Sequence, residues 1–222
     1  MTCRLLEIYS FRIFAVQQNR SNTGQSALYK LARNFSGRFE PLFDTLSSII
    51  NDASSRKRFH ETLQDADLYN WMSSRDLCYL VWKYENHLRL SEQPICSEMS
   101  EAEFKNTGSK TRLTVEHIAS QTKNGIVLDG SIVPDLDSAF RDQYLNRLGN
   151  LTFDPASANS SKSNGEVYVK NSKYFSKAPY KTQNELELFM FDNKWTSESI
   201  DLRQLKIIDF CLKYWNAQYV NY

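Results

Sequence analysis

Paired cysteines, long apolar runs and net charge are all missing from this chain, and each absence closes a class of function. Cys3, Cys78, Cys96 and Cys211 are scattered, with no C-x-x-C and no histidine at finger spacing. That argues against a disulfide framework and a structural zinc clasp, and the four cysteines read as reduced, half-buried core residues of a cytoplasmic protein. The apolar stretch from Leu5 to Val16 is interrupted by Glu7, Ser10 and Arg12, which spoils both a signal-peptide core and a membrane span. The expectation is a soluble, cytoplasmic chain with no membrane partner. Lys and Arg number 27 against 26 Asp and Glu, a net charge of +1, so no global field draws the chain toward nucleic acid and any affinity for phosphate is local. No repeat of fixed period and no low-complexity segment is present.

What the chain does have is helical periodicity. With 222 residues and 41% hydrophobic content it can bury a core of its own. We read it as mainly α with a small β-hairpin, a helical lead-in over residues 1–110 followed by a second part over 111–222, the two forming one compact unit. Helices are predicted over 4–18, 25–34 and 40–50, then through Phe59 and Leu63 after a polar joint at 51–57. The strongest signal lies over 73–90, where Leu77, Leu80, Val81, Tyr84 and Leu88 follow the i, i+3, i+4, i+7, i+11 pattern of a core helix. On such a helix Glu85, Asn86 and His87 diverge by about 100° per residue and form no ligand set. His87 reads as a bystander, as does His60 beside Arg56, Lys57 and Arg58. Residues 94–110 are polar and loop-like. Further on, 137–147 reads as a short helix stopped at Gly149, and a helix opened by Ser157 or Asn159 runs to about Lys173, weakened by Gly165. Residues 183–192 and 199–217 close the chain as helices, the last with Leu205, Ile208, Leu212 and Trp215 at core spacing.

Two stretches within this frame have a different character. Thr114-Val115-Glu116-His117-Ile118 puts a carboxylate and an imidazole side by side among β-formers, in a strand predicted from Arg112 to Ile118. Leu148-Gly149-Asn150 turns into a second short strand, Leu151 to Phe153, which Asp154-Pro155 ends before the chain reaches Asn159. Taken alone, His117 reads as a satisfied core histidine, Asn150 as a turn residue and Asn159 as a helix N-cap. Together they hold the parts needed for phosphodiester hydrolysis: a base for water, and a cation to neutralise charge on the phosphate and the departing 3′ oxygen. Neutral imidazole suits the first task. A carboxylate and an amide carbonyl are hard oxygen ligands, suited to a Mg²⁺ or Mn²⁺ ion that keeps several waters. The asparagines cannot titrate, which leaves them coordination or orientation. Neighbouring strand residues face opposite sides, so Glu116 and His117 serve one site only if it wraps around the strand end, as a ββα hairpin crossed by its helix does.

Val115-Glu116-His117-Ile118 with Gln121, then Leu148-Gly149-Asn150-Leu151-Thr152, Asn159, Ser163-Asn164, Lys170, Tyr174, Trp195, Ile200 and Arg203 resemble the HNH-type C-terminal nuclease domain of GmrSD-like and SspE-like bacterial defence proteins. The resemblance covers nearly all of the chain, and residues 112–215 carry its motifs. The step from Asn150 to Asn159 is also similar to the HNH domain of RNA-guided DNA nucleases. The resemblance implies a ββα-metal (HNH) core within residues 111–222, embedded in a helical domain. It implies His117 as general base, Glu116 and Asn159 as ligands of a single Mg²⁺ or Mn²⁺, and Asn150 as the residue that positions His117. Asn164 is the alternative to Asn159 as second ligand. Ser120 stands where the family usually has proline, and Glu116 where many HNH sites have Asp, one methylene shorter.

Between Arg141 and Lys181 seven Lys/Arg stand against three acidic residues. A solvated helix face is the ordinary reading of such a run. Beside a phosphodiester site, Arg147, Lys162, Lys170 and Lys173 become candidates for tracking a DNA backbone, with Tyr168, Tyr174 and Tyr180 nearby. Nothing resembles a base-reading element, so little intrinsic sequence specificity is expected. The resemblance implies a DNA endonuclease, nicking one strand per site, that serves as the effector of a modification-dependent restriction system. Its partner would be an N-terminal nucleotide-hydrolysing sensor domain missing from this chain. A DNA-binding module with an idle site and an HNH-type RNase are the alternatives.

Overall fold

The structure, a computed structural model, describes residues 2–92, 95–119, 140–157 and 175–217. Two compact units divide the chain, one of Met1–Gln64 with Ile208–Tyr222 and one of Asp65–Ile207. Among the described residues no helix is long and apolar enough to cross a membrane.

The first unit is helical. Helix α1 (Thr2–Ser10) widens into a π-type turn at Phe11–Val16, in which the Gln17 N–H reaches back five residues to the Arg12 carbonyl at 3.0 Å. The wider winding buries Phe11, Arg12, Ile13 and Val16 together. Arg12, one of the residues that break the N-terminal apolar run, is therefore inside. It donates to the Ser54 and Trp215 carbonyls and lies 4.9 Å from the centroid of the Phe59 ring. Helices α2 (Gln25–Arg33), α3 (Glu40–Ala53) and α4 (Arg56–Leu63) follow, near their predicted positions. Leu46, Ile50, Phe59 and Leu63 are buried, and Trp215 stacks on Phe11 with centroids 4.0 Å apart.

The second unit carries the hairpin. After the single-turn helix α5 (Leu68–Trp71), helix α6 (Ser74–Ser91) starts where the Ser73 hydroxyl accepts the Asp76 N–H at 3.1 Å. Its five predicted core positions are buried, and so are Cys78, Trp82, Glu85 and Asn86. Asn86 exchanges two hydrogen bonds with the Met99 backbone, at 2.8 and 3.1 Å, which pins part of a segment predicted to be loop. That segment also forms a short helix α7 (Glu101–Phe104), opened by a Ser100–Glu103 capping box. None of the four cysteines is in a disulfide; Cys78 and Cys211 are buried and Cys96 is half-buried, while Cys3 is exposed rather than in the core.

Strands β1 (Leu113–His117) and β2 (Leu151–Pro155) pair antiparallel, from Leu113 opposite Pro155 to His117 opposite Leu151. Strand β2 runs past the predicted stop because Pro155 sits at the end of the ladder, where its missing N–H costs little. Val115 and Phe153 pack on Cys78, Val81 and Trp82 of α6. The predicted helix over 137–147 is described from Phe140 onward and is π-type at Arg141–Leu145. The predicted helix from Ser157 or Asn159 to about Lys173 lies almost wholly outside the described residues.

Helix α8 (Lys181–Asn184) is capped by a carboxylate from α6. Glu85 accepts the Lys181 and Thr182 N–H groups at 3.0 and 2.8 Å, near the positive end of the helix dipole. The predicted helix over 183–192 instead passes into a 3₁₀ turn, Glu185–Phe189. It then reverses through Asp192 and Asn193, both left-handed at φ 51° and 60°, so that Phe191 pairs with Lys194. Helix α9 (Ser197–Tyr214) closes the described chain. Its inward face matches the predicted one in part: Ile208 and Trp215 are buried, but Leu205 is 56% exposed, and Ile200, Arg203, Gln204 and Ile207 are buried as well. Arg203 has polar partners inside, so the helix turns a charged residue inward and a leucine out.

Gly149 marks where the turn before β2 meets α9. A Cβ there would lie 2.2 Å from the Ile200 carbonyl oxygen and 2.9 Å from the Gln204 Cβ, so one backbone would have to move. Gly149→Ala is expected to lower stability by about 1–3 kcal/mol or more, measured by chemical denaturation. A loss below about 0.5 kcal/mol, the range of ordinary surface changes, would show that the approach is not tight.

Candidate active site at the end of the hairpin

The pairing of His117 with Leu151 brings the two chemically unusual stretches together. His117 is the last residue of β1 and is 6% exposed, and Glu116 before it is 4% exposed. They point to opposite faces of the hairpin. The imidazole Nε2 lies 3.3 Å from the Asn146 Oδ1, and the Tyr69 ring meets the imidazole edge-on with centroids 4.3 Å apart. Glu116 shares its face with Thr152, its partner in register. The Thr152 hydroxyl is buried and finds no hydrogen-bond partner among the described residues.

Asn150 is fully buried, and its amide joins three segments. Its Oδ1 accepts the Ala119 N–H at 2.9 Å and the Trp195 indole N–H at 3.1 Å, while its Nδ2 donates to the Leu145 carbonyl at 2.8 Å. Its backbone carbonyl accepts the Ile118 N–H at 2.9 Å. Both residues after His117 are thereby tied to this one asparagine. The backbone on either side of Asn150 is fixed as well: Arg203 Nη1 donates to the Gly149 and Leu151 carbonyls, each at 2.8 Å.

Arg203 is itself held by Glu185, at 3.0 Å, with both side chains fully buried. Glu185 also accepts from Tyr84 at 2.8 Å and from Lys206 at 3.0 Å. Burial, with the Glu185 carboxylate adding to it, pushes the Tyr84 phenol well up, which keeps it a proton donor. Partial burial pulls the Lys206 amine down, but the Glu185 and Glu92 carboxylates outweigh this and hold it above the ordinary lysine range.

The other predicted site residues fall elsewhere. Arg147 pairs with Asp201 at 2.6 Å and lies over the Tyr144 ring. Asn159, Asn164, Lys162, Lys170, Lys173, Tyr168 and Tyr174 lie outside the described residues. Among the described residues no three His, Cys, Asp or Glu side chains converge as a metal cluster. His87 is exposed and His60 half-buried. Sequence reasoning passed over Asn146, Tyr69 and Asp67, although Asn146 stands only four residues before Asn150.

The family model of the GmrSD restriction endonucleases, C-terminal domain, matches residues 53–210. The chain belongs to this family. It is a nuclease domain of the restriction-endonuclease type. No curated relative matches the chain. In this GmrSD-type domain the matched span contains the hairpin, Asn150, Trp195 and Arg203.

Replacing Arg203 strips the Gly149 and Leu151 carbonyls of their donor and leaves Glu185 buried with fewer partners. Arg203→Met is expected to cost about 3–5 kcal/mol in a denaturant titration. Arg203→Lys is not expected to restore it, because a point charge cannot serve two carbonyls and a carboxylate at once. A cost under about 1 kcal/mol in either variant would contradict this account of the clamp.

Proposed function

We propose that this domain is a metal-dependent DNA endonuclease of the HNH type that nicks one strand per active site. The observation that carries the reading is the hairpin register, which sets Glu116-His117 against the turn built on Asn150. His117 is the general base that takes the proton from the attacking water. Asn150 positions it by fixing Ile118 and Ala119 immediately beyond it. Glu116 and Asn159 would hold one Mg²⁺ or Mn²⁺. The fit rests on donor chemistry: a nearly buried carboxylate beside a buried threonine hydroxyl with no partner among the described residues is a hard-oxygen environment. Such an ion supplies charge neutralisation at the phosphate and the departing 3′ oxygen.

DNA is then held through its backbone by Lys162, Lys170, Lys173 and Arg147, the last of which would have to exchange its pairing with Asp201 for a phosphate. Recognition of modified DNA would come from a nucleotide-hydrolysing sensor domain acting with this one.

Supercoiled plasmid incubated with the domain and Mg²⁺ or Mn²⁺ is expected to become open circular. His117→Ala is expected to slow this by about 100-fold or more while DNA binding persists. Asn159→Ala should recover part of its activity as Mn²⁺ is raised, since a ligand has been lost. Asn150→Ala should show an unchanged Mn²⁺ dependence, a lower rate and a lower melting temperature, because the Ala119 and Trp195 N–H groups lose their acceptor. Intact plasmid with the wild-type domain, or binding without cleavage, would overturn the reading. Equal metal dependence in the two asparagine variants would show that their roles are misassigned. Preferential cleavage of RNA in a parallel assay would move the substrate class.

A further inference from the structure

We propose that Asn146, braced by Asp67, is a positioning residue that fixes the tautomer of His117, with the proton on Nε2 and the lone pair on Nδ1. The inference rests on the reading of His117 as the general base. It begins with a problem of orientation, because the two ends of an asparagine amide are distinguishable only through their partners.

One partner here settles the choice. The Asp67 Oδ1 lies 3.0 Å from the Asn146 Nδ2. A carboxylate accepts and does not donate, so the end of the amide facing it must be the NH₂ group. That turns the Asn146 Oδ1 toward the His117 Nε2, 3.3 Å away. A carbonyl oxygen also only accepts, so Nε2 must carry the hydrogen. In a neutral imidazole the lone pair then belongs to Nδ1. Three side chains in series, Asp67, Asn146 and His117, thus transmit one polarity: acceptor, donor, acceptor, donor.

The short helix α5 holds this relay in place. Asp67 immediately precedes it and is fixed by the Asn70 Nδ2 at 2.6 Å. The Tyr69 N–H donates to the Asn146 backbone carbonyl at 3.1 Å, and the Tyr69 ring meets the imidazole of His117. One turn of helix therefore grips Asn146 by its backbone and its side chain and closes one side of the imidazole. Asp67 is exposed, so its pairing adds little to stability. Its effect is on geometry.

The test is a tautomer measurement beside a kinetic one. The chain has three histidines, so long-range ¹H–¹⁵N spectra of the labelled domain, at one alkaline pH, resolve few rings, and His117→Gln assigns its own. The wild type is expected to show His117 mainly as the Nε2–H form. Asn146→Ala should mix the two tautomers and lower kcat for plasmid nicking by about 10- to 100-fold, as loss of an outer-shell partner does, with KM for plasmid and Mn²⁺ half-saturation unchanged. Asp67→Ala should shift both readouts in the same direction. Asp67→Asn keeps an oxygen that can accept from Asn146 and should restore the Nε2–H signature. If Asn146→Ala does not fold, the Asp67 pair, on an exposed side chain, carries the test. An Nδ1–H signature in the wild type overturns the proposal, and so does an unchanged tautomer ratio or an unchanged kcat in the folded variants. Failure of the nuclease reading is separate: a wild type that does not nick, or nicking that survives His117→Gln, while the spectra still decide the tautomer.

Discussion

The Arg203 guanidinium, buried against Glu185 and bonded to the carbonyls of Gly149 and Leu151, is the constraint on which the rest of the unit depends. A buried ion pair is weak grounds for high stability, because desolvating both charges offsets much of their attraction. What this one fixes is register. It sets the backbone on both sides of Asn150 and therefore where β2 begins. A slip of one residue would exchange the faces of a strand, and Glu116 and His117 would trade places. Gly149, with no room for a Cβ against α9, keeps the same turn seated on the helix that carries Arg203.

From that turn the order passes to the chemistry. The Asn150 amide collects Ala119, Leu145 and Trp195, so the chain leaving β1 is fixed one and two residues after His117. The hairpin then presents a carboxylate on one face and an imidazole on the other. In the nuclease reading this separation has a purpose: the general base has to remain uncoordinated while an ion is held by oxygen donors on the other side of the strand. The two environments match that division. His117 is faced by a tyrosine ring and an amide, and Glu116 shares its face with a hydroxyl and, in Asp154, a second carboxylate.

Much of this was legible in the sequence. The α6 face followed from its apolar spacing, and the hairpin from β-formers separated by turn chemistry. Asn150 stood out through its setting in Leu-Gly-Asn-Leu. Other features left no such trace. Helix α5 spans four residues, too few for a periodic signal, so Asp67, Tyr69 and Asn146 carried no hint that they meet His117. Leu205 on α9 sits at core spacing in the sequence but faces out, because the helix turns Arg203 inward toward buried partners that are remote in sequence. The broken helix after Asn184 turns on two left-handed residues, Asp192 and Asn193, which a pattern of apolar residues does not encode.

The central claim is that one end of the hairpin holds both a metal-free base and an oxygen-bound ion. Crystals soaked in Mn²⁺ and measured for anomalous scattering test it directly. The account predicts a single strong peak about 2.1 Å from a Glu116 carboxylate oxygen and from the Asn159 amide oxygen, with no His117 nitrogen in contact. A peak coordinated by His117, or one remote from Glu116, would contradict it.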